Sequence, residues 1–170
     1  IFKPMEKEQR MKKHSEGDVT IVFDDIEKNI LQKIVAPKCV YCLVLCPYFS
    51  NAKIMIELCK KKACTIITIY DKNLKSKKRM DVFNKIKPFM ANRVMYLNKG
   101  RGKTRSIMHS KSIICLDENK IPYCAINGSY NFSGGSSTNI ENIAIYENMN
   151  IANFFFQEFK RIYNISKKLL

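Results

Sequence analysis

Residues 109–133 read HSKSIICLDENKIPYCAINGSYNFS, and they carry the clearest structural pattern in the chain. Apolar residues dominate from Lys111 to Leu116 and again from Tyr123 to Asn127, with the polar residues 117–120 between the two runs. Two short strand-like runs on either side of a polar turn are typical of a β-hairpin. We therefore predict two antiparallel strands that bring the polar ends of this stretch together.

The two polar ends carry residues that suit a phosphate group. Taken separately, each end has a simple explanation. The pattern H-x-K, here His109 to Lys111, often occurs by chance, and in a G-S-x-N turn, here Gly128 to Asn131, the side chains hydrogen-bond to the backbone of the turn. The period of two places His109 and Lys111 on one face, and pairing delivers Ser129 and Asn131 to the same end of the sheet. Lysine offers charge, serine and asparagine offer neutral donors, and histidine offers a nitrogen nucleophile. Together they predict a phosphate-binding set that needs no metal.

The rest of the chain alternates between helical and strand-like patterns. Isoleucines recur at four-residue spacing from Asp25 to Val35, and Ser50 is expected to be the N-cap of a second helix. A C-terminal helix has Phe155 and Phe159 along one side. The other predicted strands are Val19–Phe23, Val40–Leu45, Thr65–Tyr70, Arg93–Leu97 and Asn142–Tyr146. We predict an α/β three-layer sandwich, with a mixed, mostly parallel sheet and helices on both faces.

The length of 170 residues fits a single domain, since domains usually hold about 100–200 residues. Residues 1–18 are polar and charged without periodicity, which predicts an extended or poorly ordered basic arm. We place the single domain at residues 19–170.

The charge balance indicates the sign of the partner. Thirty Lys and Arg against 15 Asp and Glu give a net charge of +15, which attracts polyanions such as nucleic acid or an anionic membrane surface. The longest apolar run, Cys39–Phe49, is shorter than the roughly 18 residues that span a bilayer. We expect this part of the protein to be soluble.

Seven cysteines, an odd number, lie mostly in apolar strand-like stretches. This favours reduced, buried thiols and an intracellular protein. Cys39 and Cys42 form a C-x-x-C with Cys46 following, but no second pair stands at zinc-site spacing. Core thiols are therefore favoured over a structural zinc site.

The chain resembles the phospholipase D superfamily, whose motif is H-x-K, four residues, Asp, and then G-S-x-N followed by Glu. The matching residues are His109, Lys111, Gly128, Ser129, Asn131 and Glu141. The motif Asp position holds Leu116, and Asp117 follows it, so either a bulge brings Asp117 into register or the acidic role is absent. The strand and helix after Val40 are also similar to small bacterial endonucleases and mitochondrial Zucchini-type nucleases.

The resemblance implies a metal-independent phosphodiesterase that uses no cofactor. In the superfamily one histidine attacks phosphorus to form a phosphohistidine, and a second histidine protonates the leaving oxygen. This chain has one motif, because His14 lacks a lysine two residues on. The resemblance therefore implies a homodimer with a composite active site. In it His109 would be nucleophile and acid, Lys111, Ser129 and Asn131 would bind phosphate, and Glu141 would orient the imidazole.

A nuclease acting on single-stranded DNA or RNA is the favoured interpretation, because a basic loop directly precedes His109 and can follow a phosphodiester backbone. That loop carries Arg101, Lys103 and Arg105, and a second basic run carries Lys77, Lys78 and Arg79. The second run is either a solvated face or a phosphate contact. Tyr96, Tyr130 and Phe132 are candidates for base stacking, although such residues are more often core.

Two alternatives remain open. One is a catalytically weak or inactive family member that binds nucleic acid or scaffolds a larger assembly, for which Leu116 is the main support. The other is a phospholipase or cardiolipin hydrolase. The resemblance to Zucchini-type proteins adds mitochondrial association as an alternative location.

Overall fold

The computed structural model describes residues 13–70, 94–98, 109–133, 140–165 and 167–168. The strands are β1 (Lys13–Glu16), β2 (Val19–Val22), β3 (Tyr41–Leu45), β4 (Ala63–Tyr70), β5 (Val94–Asn98), β6 (Ser112–Leu116), β7 (Pro122–Gly128), β8 (Ile143–Tyr146) and β9 (Lys167–Lys168). The helices are α1 (Ile26–Val35), α2 (Ala52–Cys59) and α3 (Met149–Ile165). The strands form one nine-stranded sheet in the order β1-β2-β8-β7-β6-β3-β4-β5-β9.

The sheet is mixed, as predicted, but the expectation that it is mostly parallel is wrong. Strand β4 runs parallel to β3 and β5, and the six other pairings among the described strands are antiparallel. Parallel neighbours need a crossover connection, and the β3–α2–β4 unit supplies one. The hairpins β1–β2 and β6–β7 instead reverse the chain within a few residues, which makes their pairings antiparallel.

The N-terminal hairpin corrects the expected arm, because Lys13–Glu16 is a paired strand rather than an unpaired segment. Lys13 lies opposite Val22, and the hydroxyls of Ser15 and Thr20 are hydrogen-bonded at 2.9 Å. Gly17 turns the chain with a φ of 55°, a conformation that glycine adopts without steric cost. Residues 1–12 of the predicted arm lie outside the described part.

The two faces of the sheet are covered by different helices, because successive strand residues point to opposite sides. Val44 and Ile113 belong to a buried layer with the inward isoleucines of α1 and with Ile54 of α2. Their neighbours Leu45 and Ile114 pack on the other side against Phe159 of α3. Burying one such side chain contributes about 1.5–3 kcal/mol. The predicted three-layer sandwich with helices on both faces is confirmed.

Helix α2 begins one residue later than predicted, with Asn51 rather than Ser50 as its N-cap. The Asn51 side-chain oxygen accepts a hydrogen bond from the Ile54 backbone N–H at 3.0 Å, and its amide donates to Glu27 of α1 at 2.7 Å. Asn51 therefore satisfies a free N–H of the helix and also ties the two helices of one layer together.

All seven cysteines are free thiols, and all but the half-buried Cys59 are buried, as predicted. None of the described helices is both long enough and apolar enough to cross a membrane.

Candidate active site

The predicted hairpin forms and brings the two polar segments to the same end of the sheet. Ser112 of β6 pairs with Asn127 of β7, so Lys111 and Gly128 flank the last pair of the ladder. The carbonyl oxygen of Lys111 accepts hydrogen bonds from the Gly128 N–H at 3.3 Å and from the Asn127 side-chain amide at 3.1 Å. The H-x-K and G-S-x-N segments are thus joined directly.

Lys111 and His109 lie against each other at this end. The Lys111 side chain is buried, and its ammonium nitrogen lies 3.2 Å from Nδ1 and 3.3 Å from Nε2 of His109. The ammonium also donates to the His109 carbonyl oxygen at 2.8 Å, which fixes its position. The imidazole itself is exposed. The arrangement therefore presents an accessible ring nitrogen beside a fixed positive charge.

Burial lowers the pKa of Lys111 below its ordinary value of 10.5, while the charges of Cys46 and Glu141 act to raise it. Glu141, half-buried in the segment before β8, is therefore close enough to favour the ammonium form. The structure relates Glu141 to Lys111, and its predicted role in orienting the imidazole stays a prediction.

Gly128 stands where two strands come too close for a side chain. A Cβ at this position would overlap the carbonyl oxygen of Asn142 and lie 2.7 Å from Cα of Ile143. The glycine of the G-S-x-N segment is thus required by the approach of β8.

Ser129 is exposed, and its hydroxyl is held by Asn142, a residue that sequence reasoning missed. The Ser129 N–H donates to the Asn142 carbonyl oxygen at 3.0 Å, and the Asn142 N–H donates to Ser129 Oγ at 3.0 Å. The Asn142 side-chain oxygen lies 3.1 Å from the same hydroxyl. Its position at the start of a predicted strand was the only signal in the sequence. Ser129 therefore anchors the turn at the sheet end as well as offering a hydroxyl to a ligand.

Asn131 carries a buried side-chain oxygen that has no hydrogen-bond partner among the described residues. Leaving such a group unpaired costs about 1–3 kcal/mol, and unpaired buried polar groups often mark ligand sites. A 180° turn of the amide would place its two N–H donors at the same point.

The segment that carries Asn131 is held by its neighbour Phe132. The carbonyl oxygen of Phe132 accepts from the N–H groups of Ser50 and Asn51 at 2.8 Å each, and its ring meets Phe49 edge to face at 5.9 Å. Tyr130 and Phe132 are 2% and 1% exposed, so both are core residues and their suggested role as stacking platforms is wrong.

Leu116, the departure from the motif, lies far from His109. It ends β6 buried beside Phe159, and five strand steps of about 3.3 Å each separate it from Lys111. The register does shift after Cys115, but the extra residue is Tyr123 of β7. The next residue, Asp117, accepts the backbone N–H groups of Asn119 and Ile121 at 2.9 Å each. Asp117 therefore shapes the turn of the hairpin, at the opposite end of β6 from His109 and Lys111.

The basic residues predicted to contact nucleic acid lie outside the described part of the chain. They are Lys77, Lys78, Arg79, Arg101, Lys103 and Arg105. Tyr96 lies in β5, and its predicted stacking role stays a prediction.

A three-layer α/β sandwich with H-x-K and G-S-x-N segments at one end of neighbouring strands defines the phospholipase D/nuclease class of fold. Residues 13–163 match the family model described as "Cardiolipin synthase, PLD-like domain". The match covers most of the chain, which therefore belongs to this family of phospholipase D-like domains.

Solved structures support the fold. The chain is similar to Nuc, a phospholipase D family member from Salmonella typhimurium, with a TM-score of 0.69 and 18% identity over 89% of this chain and 97% of that one. NucT from Helicobacter pylori gives a TM-score of 0.69 and 15% identity over 89% and 98%. The archaeal chromatin protein TrmBL2, described as showing a novel mode of DNA binding, gives 0.56 and 11% over 90% and 55%. No curated protein sequence matches the chain.

Proposed function

We propose that this protein is a metal-independent phosphodiesterase that cleaves nucleic acid through a phosphohistidine on His109, in a homodimer with one composite active site. The observation that carries the proposal is the placement of the Lys111 ammonium 3.2 and 3.3 Å from the ring nitrogens of the exposed His109. A nucleophile and a fixed cation side by side can attack a phosphodiester and neutralise the charge that builds on its oxygens.

The reaction divides into two displacements on phosphorus. A ring nitrogen of His109 forms a bond to phosphorus as the bond to the leaving oxygen breaks, and an acid protonates that oxygen. Water then attacks the phosphohistidine, and the group that protonated the leaving oxygen now accepts a proton from this water. The attack breaks the bond between phosphorus and His109 and releases the phosphate product. The Lys111 ammonium and the Asn131 amide would bind the non-bridging oxygens throughout.

The need for a second acid supports the homodimer. The other histidine, His14, is exposed on the edge strand β1, four strand spacings of about 4.8 Å from β6. A second copy of His109 across a two-fold axis is the simplest source of this acid, since a two-fold axis brings the same group of each copy to the same place.

Nucleic acid is the favoured substrate because the net charge of +15 attracts a polyanion along its length. The fold neighbours Nuc and TrmBL2, the second described as binding DNA, support this choice. The inactive alternative loses its main support, since Leu116 lies at the opposite end of β6 from Lys111. An anionic phospholipid is the second candidate, because the matching family model is described as that of cardiolipin synthase.

The test is cleavage of end-labelled single-stranded RNA and DNA in excess EDTA by the wild type, His109→Ala and His14→Ala. His14→Ala is the matched control because that histidine is also exposed but lies at the sheet edge. We expect turnover in EDTA that only His109→Ala abolishes. Turnover of cardiolipin vesicles without oligonucleotide cleavage would assign the lipid substrate, and inertness on both would overturn the proposed catalysis.

The composite site has its own test. Wild type and His109→Ala refolded together in equal amounts should retain about a quarter of the wild-type activity, because only dimers of two intact chains would turn over. Retention of half the activity would show that each chain acts alone.

A further inference from the structure

Four neighbouring strands carry a cysteine at the same level of the sheet. Cys42 of β3 lies directly opposite Cys64 of β4 on one side and Cys115 of β6 on the other. Cys115 in turn lies opposite Cys124 of β7. All four belong to the buried layer between the sheet and helices α1 and α2. The row crosses the sheet about four strand steps of 3.3 Å from Lys111, toward the turn of the hairpin and away from the candidate active site.

A fifth cysteine, Cys39, folds onto this row from the segment before β3. Its Sγ lies 3.3 Å from Sγ of Cys42, which is a contact between thiols and not a disulfide bond. The Sγ atoms of Cys39, Cys42 and Cys115 all lie within 4.8 Å of one another, and the three residues are at most 2% exposed. Core packing explains why a single thiol is buried, but not why sulfurs from three segments converge on one point.

The spacing of the three sulfurs suits one metal ion. Zinc binds thiolates at about 2.3 Å in tetrahedral geometry, which places the ligand sulfurs about 3.8 Å apart. The three sulfur atoms already lie within 4.8 Å of one another, so small rotations of the cysteine side chains would bring them to this spacing. Hard, oxygen-preferring ions such as Mg²⁺ do not suit three sulfurs.

The surroundings favour negative charge on the sulfurs. The Lys61 ammonium lies beside Cys39, at the edge of the thiol cluster. Lys61 is fixed there because its ammonium donates to the Cys39 carbonyl oxygen at 2.8 Å. A second cation, Lys38, lies 4.5 Å from the ring centroid of Tyr123, beside the same cluster. These cations offset the negative charge of a zinc–thiolate centre.

We propose that Cys39, Cys42 and Cys115 form a structural site for a thiophilic d¹⁰ metal ion, zinc in the first place, that ties the start of β3 to β6. The fourth coordination position would fall to Cys124, which lies opposite Cys115 on the next strand. Zinc would displace the thiol protons and replace a set of weak S–H contacts with metal–sulfur bonds. The site is remote from His109, so it leaves the proposed catalysis metal-independent.

The test uses the full chain, purified under reducing conditions without chelator. We expect about one zinc per chain by elemental mass spectrometry, and a Co²⁺-loaded form with the intense absorption of tetrahedral cobalt–thiolate coordination. Removing zinc with a chelator should lower the melting temperature, and adding it back should restore that temperature.

The matched variants are Cys115→Ser and Cys64→Ser, two buried cysteines of the same row, of which only Cys115 belongs to the convergent group. We expect Cys115→Ser to lose the metal and the cobalt spectrum, and Cys64→Ser to keep both. If Cys115→Ser fails to fold, the cobalt titration of the wild type decides alone.

Three outcomes would overturn the site: wild-type protein with reduced thiols that binds neither zinc nor cobalt, equal metal content in Cys115→Ser, or a native Cys39–Cys42 disulfide by mass spectrometry. Because the readouts are metal content and stability, they are independent of whether the protein cleaves nucleic acid.

Discussion

The ammonium nitrogen of Lys111 lies 3.2 Å from Nδ1 and 3.3 Å from Nε2 of His109, and it donates to that residue's carbonyl oxygen at 2.8 Å. A lysine that is 4% exposed keeps little contact with water, so its charge is held by these neighbours and by Glu141. The protonation state of Lys111 therefore links the site's chemistry to pH.

We expect kcat/KM to fall at alkaline pH with a midpoint below 10.5, because burial lowers the pKa of Lys111 and phosphate binding needs the ammonium. Glu141→Gln should move this midpoint to a still lower pH, since its carboxylate raises the pKa of Lys111. The measurement is a pH–rate profile for the wild type and Glu141→Gln. A midpoint that moves upward in the variant would contradict the assignment.

Stability should depend on the same proton. The folded chain binds the Lys111 proton more weakly than the unfolded chain does. The free energy of unfolding therefore increases as the pH rises from the lowered pKa of Lys111 toward 10.5. Lys111→Met has no such proton, so its free energy of unfolding should not show this increase. The stability of the variant relative to wild type should therefore decrease as the pH rises over the same range. Urea unfolding at several pH values measures the difference. Lys28→Met, at an exposed lysine of α1, is the control for the change of residue type.

Gly128→Ala should destabilise the protein by about 1–3 kcal/mol, because the new Cβ overlaps the Asn142 backbone and forces β7 and β8 apart. Activity should fall as well, since this contact holds Ser129 in place. Urea unfolding and a cleavage assay on the folded fraction test both effects. Gly17→Ala is the contrasting variant. Among the described residues, no atom beyond the two chain neighbours of Gly17 lies within 4 Å of the new Cβ. The variant should therefore lose only the stability that the left-handed backbone of Gly17 costs an alanine, and it should keep its activity.

Leu116→Asp, which restores the residue type of the motif, should destabilise the protein by about 3–5 kcal/mol without raising activity. The side chain is 4% exposed and packs with Ile114 and Phe159, so a carboxylate there would lose its hydration among apolar side chains. Asp117→Ala should lose about 1 kcal/mol, because it removes the acceptor of two backbone N–H groups in the turn. Higher activity in Leu116→Asp would show that the motif acid acts at the site.

The hairpin and its polar ends could be predicted because their signals are local. Strand period, turn composition and residue type all lie within residues 109–133, and the pairing of Ser112 with Asn127 follows from the turn between them. The inward isoleucines of α1 were equally clear from their spacing. The strand directions of the whole sheet were not, because they depend on pairings such as β3 with β6, which lie about 70 residues apart in sequence.

The wrong N-cap of α2 has the same origin, and so does the thiol cluster, which the sequence did not indicate. Ser50 and Asn51 are both good N-caps by type, and the contact with Glu27 on another helix distinguishes them. The spacing of the cysteines in the sequence did not indicate a zinc site, because Cys115 is far from Cys39 and Cys42 in sequence. It comes close to them only through the pairing of strands β3 and β6. Local patterns thus located the candidate active site, whereas long-range pairing created the thiol cluster.

Asn131→Leu should separate stability from function. The buried side-chain oxygen of Asn131 has no partner in the described part of the chain, so an apolar side chain of similar size removes a polar group that folding leaves unsatisfied. We expect stability to stay equal or rise by about 1 kcal/mol. Activity should fall about 10²–10³-fold, because a hydrogen-bond donor to the phosphate oxygens is lost.

Ser112→Ala provides the matched control for this last prediction. The Ser112 hydroxyl is the other buried side-chain oxygen without a partner among the described residues, and Ser112 is adjacent to Lys111 in sequence. Its removal should also leave stability equal or higher, but activity should remain, because Ser112 lies within the β6 ladder and outside the G-S-x-N turn. Equal activity loss in both variants would mean that packing at this end of the sheet, rather than a phosphate contact by Asn131, controls turnover.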